Sequence, residues 1–214
     1  MKKRLCLPLW MFLAVTLSGC GGMLTSDEPP EHVYWLEAAT LRLGEVPTEG
    51  LPKLLLVVET IPGLDTDRIL VKGPGARMNY YAGARWPDHL PEVVTATVRL
   101  SLESSGRFSR VSSRSQIKGD EWLLELELRE FFAVAITADS PPQVHVQLVG
   151  HLNCGFGDTA ISAKAAEPAE ENKLSKIVAA FQSATNNTLI SLGEQLETSC
   201  FLEKSQSDSH VRRD

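Results

Sequence analysis

The sequence predicts an α+β domain, a mainly antiparallel sheet of about five to six strands with two helices packed on one face. Residues 122–136 and 143–152 alternate apolar with charged or polar side chains, which is typical of an antiparallel pair with one solvated face. Residues 88–104 and 170–196 instead repeat apolar side chains at helical spacing. Short apolar runs bounded by proline and glycine supply the remaining strands.

The first strands are predicted in the N-terminal half of the chain. Residues 33–36 form an aromatic, β-branched run that predicts a strand. Residues 53–60 are nearly all apolar, which predicts a central strand covered on both faces. Residues 68–72 and 76–81 predict a hairpin, because Gly73-Pro74-Gly75 suits the turn between them.

From residue 88 onward the spacing of apolar residues changes from strand-like to helical. Asp88 is predicted to cap a helix that ends at Ser104-Ser105-Gly106, and residues 108–111 predict a short strand. The antiparallel pair comes next, joined by a turn at residues 139–142. A long amphipathic helix over 170–196 closes the domain, which is predicted to span residues 33–200. Residues 201–214 are polar and charged and are predicted to form a frayed tail.

Composition limits the function. The chain has 214 residues, 43% hydrophobic and 22% charged, which is typical of one globular domain. Its net charge is -6, and the excess of acidic residues grows when the basic start Lys2, Lys3 and Arg4 is set aside. An acidic domain without a basic patch is not expected to bind nucleic acid.

The N-terminal residues have the features expected of a secretory leader. Residues 1–19 have a basic start, an apolar core over 5–17 and small residues at the exit, which predicts a cleaved signal peptide that removes Cys6. The apolar core of about 13 residues is shorter than the roughly 20 that cross a bilayer as a helix. Residues 20–32 are rich in glycine, proline and acidic side chains and predict a flexible tether.

The exit of the leader resembles the lipobox of bacterial lipoproteins in the sequence Leu17-Ser18-Gly19-Cys20. The resemblance implies that Cys20 starts the mature chain and carries acyl chains such as palmitate. Two or three chains hold a protein on a membrane essentially permanently. Gly21 stands where lipoproteins kept at the inner membrane commonly have aspartate, which favours the periplasmic face of the outer membrane. In the alternative, an ordinary leader is cut elsewhere and Cys20 is a free thiol.

Cys154 and Cys200 are the cysteines left in the exported domain. Because the periplasm is oxidising, we predict a disulfide between them. It would join the end of the last long strand to the end of the last helix and stabilise the fold by about 4 kcal/mol. The alternative is two separate thiols.

The rest of the sequence gives only weak signals for metal binding or catalysis. His151-x-x-Cys154 resembles half of a metal site, but no second pair has ligand spacing, so no metal is expected. Glu125, Glu127 and Glu130 are predicted to lie on the solvated face of a strand. Motifs for a nucleophilic serine, a dinucleotide or a P-loop are absent from the sequence. We therefore predict no catalytic residue, no cofactor and a non-enzymatic role.

A further set of motifs resembles the ABC-type transport auxiliary lipoproteins, relatives of the paraquat-inducible intermembrane-transport lipoprotein of Gram-negative bacteria. The resemblance spans residues 34–196. It rests on the lipobox, the β-β-α order and the motifs Tyr34-Trp35-Leu36, Asp67-Arg68, Tyr80-Tyr81 and Arg85-Trp86-Pro87, the last leading into the helix with Leu90.

The resemblance implies a docking role in lipid traffic. Such a lipoprotein docks mammalian-cell-entry (MCE) proteins driven by an inner-membrane ABC transporter or related protein, moving phospholipids or other hydrophobic molecules between membranes. The predicted partner-binding residues are Arg68, Tyr80, Tyr81, Arg85 and Trp86, side chains of the kinds that dominate interfaces. Arg68 and Arg85 are predicted to face the partner or neighbouring subunits of a homo-oligomeric ring.

Simpler interpretations of the same residues stay open. Trp86 and Tyr80 can cover the start of the helix as core, and Arg68 can pair with Asp67 or Asp65. At the level of function, the alternative is a structural lipoprotein subunit of another envelope assembly complex. Lipid binding by the domain itself is a third hypothesis.

Overall fold

A computed structural model describes residues 31–44, 50–113, 121–135, 137, 140–155 and 157–201. The predicted signal peptide, Cys20 and the polar tail beyond Phe201 lie outside the described residues, as does most of the predicted tether. Glu31 and His32 were assigned to the tether by sequence, but they belong to the folded unit, which begins at Glu31.

The described residues form one mixed sheet and two helices. The strands are β1 (His32–Val33), β2 (Lys53–Thr60), β3 (Arg68–Lys72), β4 (Met78–Arg85), β5 (Arg110–Ser112), β6 (Trp122–Val134), β7 (Gln143–Asn153) and β8 (Asp158–Pro168), and the helices are α1 (Leu90–Ser104) and α2 (Leu174–Leu196). No helix among these residues is long and apolar enough to cross a bilayer.

The sheet is built around the long strand β6. On one side, β7 pairs with β6 along its length, and β8 pairs with β7. On the other side, β2 pairs with residues 122–128 of β6, and β3 pairs with Ala133 and Val134. Two strands therefore lie end to end along one edge of β6. β5 extends the sheet beyond β2, whereas β4 and then β1 extend it beyond β3.

The predicted fold class is confirmed as α+β with two helices, but the sheet differs in detail. It has eight strands, and the pairs β1/β4, β2/β5, β2/β6 and β3/β6 are parallel. The unpredicted strand β8 has the sequence DTAISAKAAEP, in which alanine and lysine lower the β-propensity. Pairing with β7 along eleven residues makes it a strand.

Alternation along β6 decides which face of the sheet the helices cover. Leu124, Leu126 and Leu128 are buried, and Glu125 between them is exposed. Both helices pack on the leucine face, with α1 against β2 and α2 against β7 and β8. Among the described residues the opposite face carries no helix, and we call it the free face. On this face of β2, Leu55 is buried, Val57 is half-buried and Glu59 is exposed, so the prediction that β2 is covered on both faces holds only near its start.

A strap of extended chain, residues 34–44, lies between the helices. Its residue Glu37 donates its backbone N–H to Gln182 Oε1 of α2 (2.7 Å), and Ala39 donates to Ser101 Oγ of α1 (2.8 Å). Four of its apolar side chains are buried, namely Leu36, Ala39, Leu41 and Leu43. The strand predicted over 33–36 therefore ends at Val33, because burial between two helices replaces strand pairing for the residues that follow.

The helix starts differ slightly from the prediction. The N-cap of α1 is His89 rather than the predicted Asp88, because Asp88 Oδ1 accepts the backbone N–H of His89 (2.8 Å) instead of one within the helix. α2 begins at Leu174, four residues later than predicted. Beyond α2, Cys200 forms the predicted disulfide with Cys154 at the end of β7.

Candidate functional site

The predicted partner-binding arginines lie side by side on the free face of the sheet. Val71 pairs with buried Ala133, so Val71 points towards the helices and its neighbours in β3 point away. Arg68 therefore lies on the free face, and Arg85 is its direct partner on β4. This juxtaposition depends on the hairpin between β3 and β4.

The two guanidinium groups share two carboxylates. Arg68 Nη1 lies 2.7 Å from Glu31 Oε1, and Arg85 Nε lies 3.2 Å from Glu31 Oε2. Asp67 approaches the same groups at 3.6 and 3.8 Å. We call these four residues the arginine cluster. The hydrogen bond that Arg68 donates to Glu31 raises the pKa of Arg68. With two guanidinium groups and two carboxylates, the cluster is formally neutral.

The simpler interpretation of Arg68 holds in part. Arg68 does pair with Asp67, but its shorter contact is to Glu31, which the sequence did not indicate. Asp65 instead contacts His89, with 2.8 Å between Asp65 Oδ1 and His89 Nδ1. That contact raises the pKa of His89 above its ordinary value, chiefly through the hydrogen bond.

Tyr80 is exposed and held against Arg68. The Arg68 Cζ atom lies 5.4 Å from the centre of the Tyr80 ring, a cation–π contact, and Tyr80 is 57% exposed. Tyr80 is therefore not part of the core. Met78, two residues earlier and also on the free face, is 45% exposed.

Trp86 is fully buried, which corrects its prediction as a partner-binding residue. Its ring packs edge-on against Phe131 and Phe181, at centroid distances of 5.6 and 5.4 Å. Among the described residues its Nε1 atom has no hydrogen-bond acceptor. Trp86 joins the sheet to α2 and is unavailable to a partner.

Tyr81 lies in an irregular part of β4. It is partly buried, and this burial raises the pKa of its hydroxyl. Four residues of β4, Tyr81 to Ala84, oppose the single residue Ile69 of β3. Gly83 has φ +69, a conformation that side-chain-bearing residues rarely adopt. The resulting bulge bends β4 between Tyr80 and Arg85.

The other half of the free face is a shallow polar groove of about 560 Å³. Its lining includes Val57, Glu59, Glu125, Val149, His151 and Ser162. The carboxylate of Glu125 is exposed, as predicted. In the His151-x-x-Cys154 motif, which resembles half of a metal site, both side chains have other partners. His151 contacts Asp158 (3.3 Å), and Cys154 is bonded to Cys200.

Comparison with known proteins identifies the fold. The chain is similar to protein XCC0632 from Xanthomonas campestris, described with the family DUF330, with TM-score 0.68 and 19% identity over 84% of this chain and 99% of that one. A second solved structure, of an uncharacterized protein, matches with TM-score 0.61 and 12% identity over 78% and 99% of the chains. No family model and no curated protein matches this chain.

Proposed function

We propose that this protein is a lipoprotein anchored in the outer membrane through Cys20, and that it docks an MCE-type lipid-transport system in the periplasm. The transported molecules are phospholipids or other hydrophobic compounds moved by an inner-membrane ABC transporter or related protein. The domain contributes no catalysis in this role.

The observation that carries the proposal is the surface at the point where the chain leads back to Cys20. Glu31 is the first described residue and is held by Arg68 and Arg85, with exposed Tyr80 beside them. Tyrosine and arginine are enriched among residues that dominate binding energy. Ten residues lie between Cys20 and Glu31, a reach of at most about 40 Å, so this surface stays near the membrane.

Two further observations support the proposal. The disulfide between Cys154 and Cys200 suits an oxidising compartment such as the periplasm. The fold shared with the Xanthomonas protein spans nearly all of that chain, which supports a single folded domain following the tether. The identity is too low to transfer a function, and the lipoprotein assignment rests on the sequence motifs.

The test is co-purification of the full lipidated chain with an MCE-domain protein from its own bacterium. We expect the double variant Arg68→Glu, Arg85→Glu to reduce recovery of the MCE-domain protein at least tenfold. Glu31→Gln is the matched control, because it disrupts the same cluster and keeps both guanidinium groups. Recovery should be maintained in Glu31→Gln.

Two results would overturn the proposal. The first is absence of the MCE-domain protein from purifications of the unmodified chain. The second is metabolic labelling that finds no acyl chain on Cys20. Recovery with another outer-membrane component instead would favour a subunit of an envelope assembly complex.

A further inference from the structure

We propose that the open edge of β4, at Met78 and Tyr80, accepts an extended segment of a partner chain as an added strand. The inference deepens the proposed docking role and rests on it, because it names how a partner would bind. At this edge the partner would be bound by backbone hydrogen bonds of β4, whereas at the arginine cluster it would be bound by side chains.

Backbone geometry shows which groups of β4 point outward. Gly73 donates its N–H to the Arg77 carbonyl (2.9 Å), so in this register the next hydrogen-bonded pair is Val71 with Asn79. Met78 and Tyr80 lie at the intervening positions, and their N–H and C=O groups therefore point away from β3. A second hydrogen bond supports this orientation. Ala135 donates its N–H to the Lys72 carbonyl (3.0 Å), so the backbone polar groups of Lys72 point towards β6 and away from Met78, which lies opposite it on β4.

Only part of the outer edge of β4 is occupied. Within the described residues, β1 pairs with this edge at Ala84 and Arg85, in parallel. Tyr34 adds one more bond, from its N–H to the Arg85 carbonyl (2.9 Å). The edge is thus already used for parallel strand addition at one end and is unpaired over residues 78–83.

The chain's own upstream segment is poorly suited to cover the rest. Continuing β1 backwards from His32, which is opposite Ala84, would place Pro29 and Pro30 opposite Tyr81 and Ala82. Proline has no N–H to donate to a ladder and is confined to the edges of sheets. A different segment with free N–H groups can pair where these prolines cannot.

Two other edge strands of the described sheet have features that limit strand addition. β8 is capped at Ser162, whose N–H donates to Gln195 Oε1 (3.1 Å) and whose carbonyl accepts from Gln195 Nε2 (2.9 Å). β5 is only three residues long. Proteins protect exposed edges by such means. Among the described residues the edge of β4 at the exposed residues Met78 and Tyr80 has neither feature.

The partner's chemistry follows from the edge. The unpaired groups are backbone donors and acceptors at alternate residues, which an extended strand satisfies. The side chains at the same positions are Met78 and Tyr80, so the strand should carry apolar residues at the positions facing them. Because the arginine cluster is formally neutral, the incoming strand needs no net charge.

The experiment places a photo-reactive residue at Met78 in the full lipidated chain in its native envelope. The matched control places it at Leu100 on α1, which is 46% exposed against 45% for Met78. We expect an adduct with an MCE-domain protein from position 78 and at least tenfold less from position 100. We expect Tyr80→Pro to reduce the adduct at least tenfold because it removes the outward N–H, and Tyr80→Phe to retain it.

A second variant protects the test against misfolding. If Tyr80→Pro lowers the melting temperature, Tyr80→Lys replaces it, since a charged edge position also opposes strand addition.

The inference fails if no adduct forms at position 78, if the adduct survives both variants, or if it joins two copies of this chain or residues 20–30 of the same chain. If Tyr80→Pro still co-purifies with the MCE-domain protein, docking occurs elsewhere and the proposed function stands. If the unmodified chain does not co-purify with it, the proposed function itself fails.

Discussion

The two ends of the β6–β7 ribbon are held together in different ways. At one end, which we call the stapled end, Cys154 is bonded to Cys200, and Arg107 Nη2 donates to both carboxylate oxygens of Glu197 (2.8 and 2.9 Å). Arg107 there is only 3% exposed. At the other end, which we call the open end, the arginine cluster is partly exposed and the edge of β4 is unpaired.

The difference indicates that one end stabilises the fold and the other end is available for binding. Covalent and buried contacts at the stapled end hold α2 to the sheet and stabilise the fold. Exposed ion pairs at the open end contribute little to stability, so they are free to exchange partners. Stability and binding should therefore respond to substitutions at opposite ends of the molecule.

The largest expected effect on stability comes from the disulfide. Replacing Cys154 and Cys200 together by alanine should lower the free energy of unfolding by about 4 kcal/mol, because the unfolded chain gains the entropy of an open loop. Denaturant unfolding with and without a reducing agent measures it. Reduction of the unmodified protein should reproduce the effect, and a loss below about 1 kcal/mol would contradict the role of the stapled end.

The next effect concerns the buried ion pair. Glu197→Gln should lower the free energy of unfolding by about 3 kcal/mol, because Arg107 keeps its charge in a buried position. Urea unfolding measures it. Glu103→Gln is the matched control, since Glu103 pairs with Arg99 on the surface of α1 and should cost only about 0.5 kcal/mol. Equal losses in the two variants would mean that burial does not distinguish these pairs.

At the open end, Glu31→Gln should change the free energy of unfolding by less than about 1 kcal/mol, because Glu31 and both arginines are partly exposed. The same urea titration measures it, at low and at high salt. A loss as large as that of Glu197→Gln would remove the contrast between the two ends.

The smallest effect is electrostatic. His89 has a raised pKa in the folded protein, so its pairing with Asp65 is fully present below the unfolded pKa of about 6.5 and is lost as the pH rises through the folded pKa. Asp65→Asn should bring the pKa of His89 down towards its ordinary value in an NMR titration. Asp88→Asn should leave it raised, because Asp88 contacts the backbone of His89 rather than its ring.

Much of the fold could be predicted from local sequence. The strands Lys53–Thr60 and Arg68–Lys72 were predicted with their observed bounds. The alternation of β6 correctly predicted that Glu125 is exposed, whereas Glu127 and Glu130 are half-buried. β8 was missed because its alanine-rich sequence has little strand propensity of its own. The first residues of the strap, 34–36, were predicted as part of a strand because aromatic residues favour strands, yet contacts with the helices determine the path of the strap.

The candidate site was harder to predict. Arg85 and Trp86 are neighbours in sequence, but one points to the free face and the other into the core, and the motif alone does not show which. The closest acidic partner of Arg68 is Glu31, thirty-seven residues away. The open edge of β4 depends on where β1 stops pairing, which requires the three-dimensional register.

The sequence by itself determined the helices, most strands and the two cysteines that pair, because periodicity and cysteine content are properties of the chain. Tertiary structure decided that β2 and β3 share one edge of β6, that one face of the sheet stays free of helices, and that Trp86 is buried while Tyr80 is exposed. The physical reason is the distance along the chain between the residues that interact. Helical and strand periodicities act over a few residues, whereas pairing partners, covered faces and open edges depend on residues far apart in the chain.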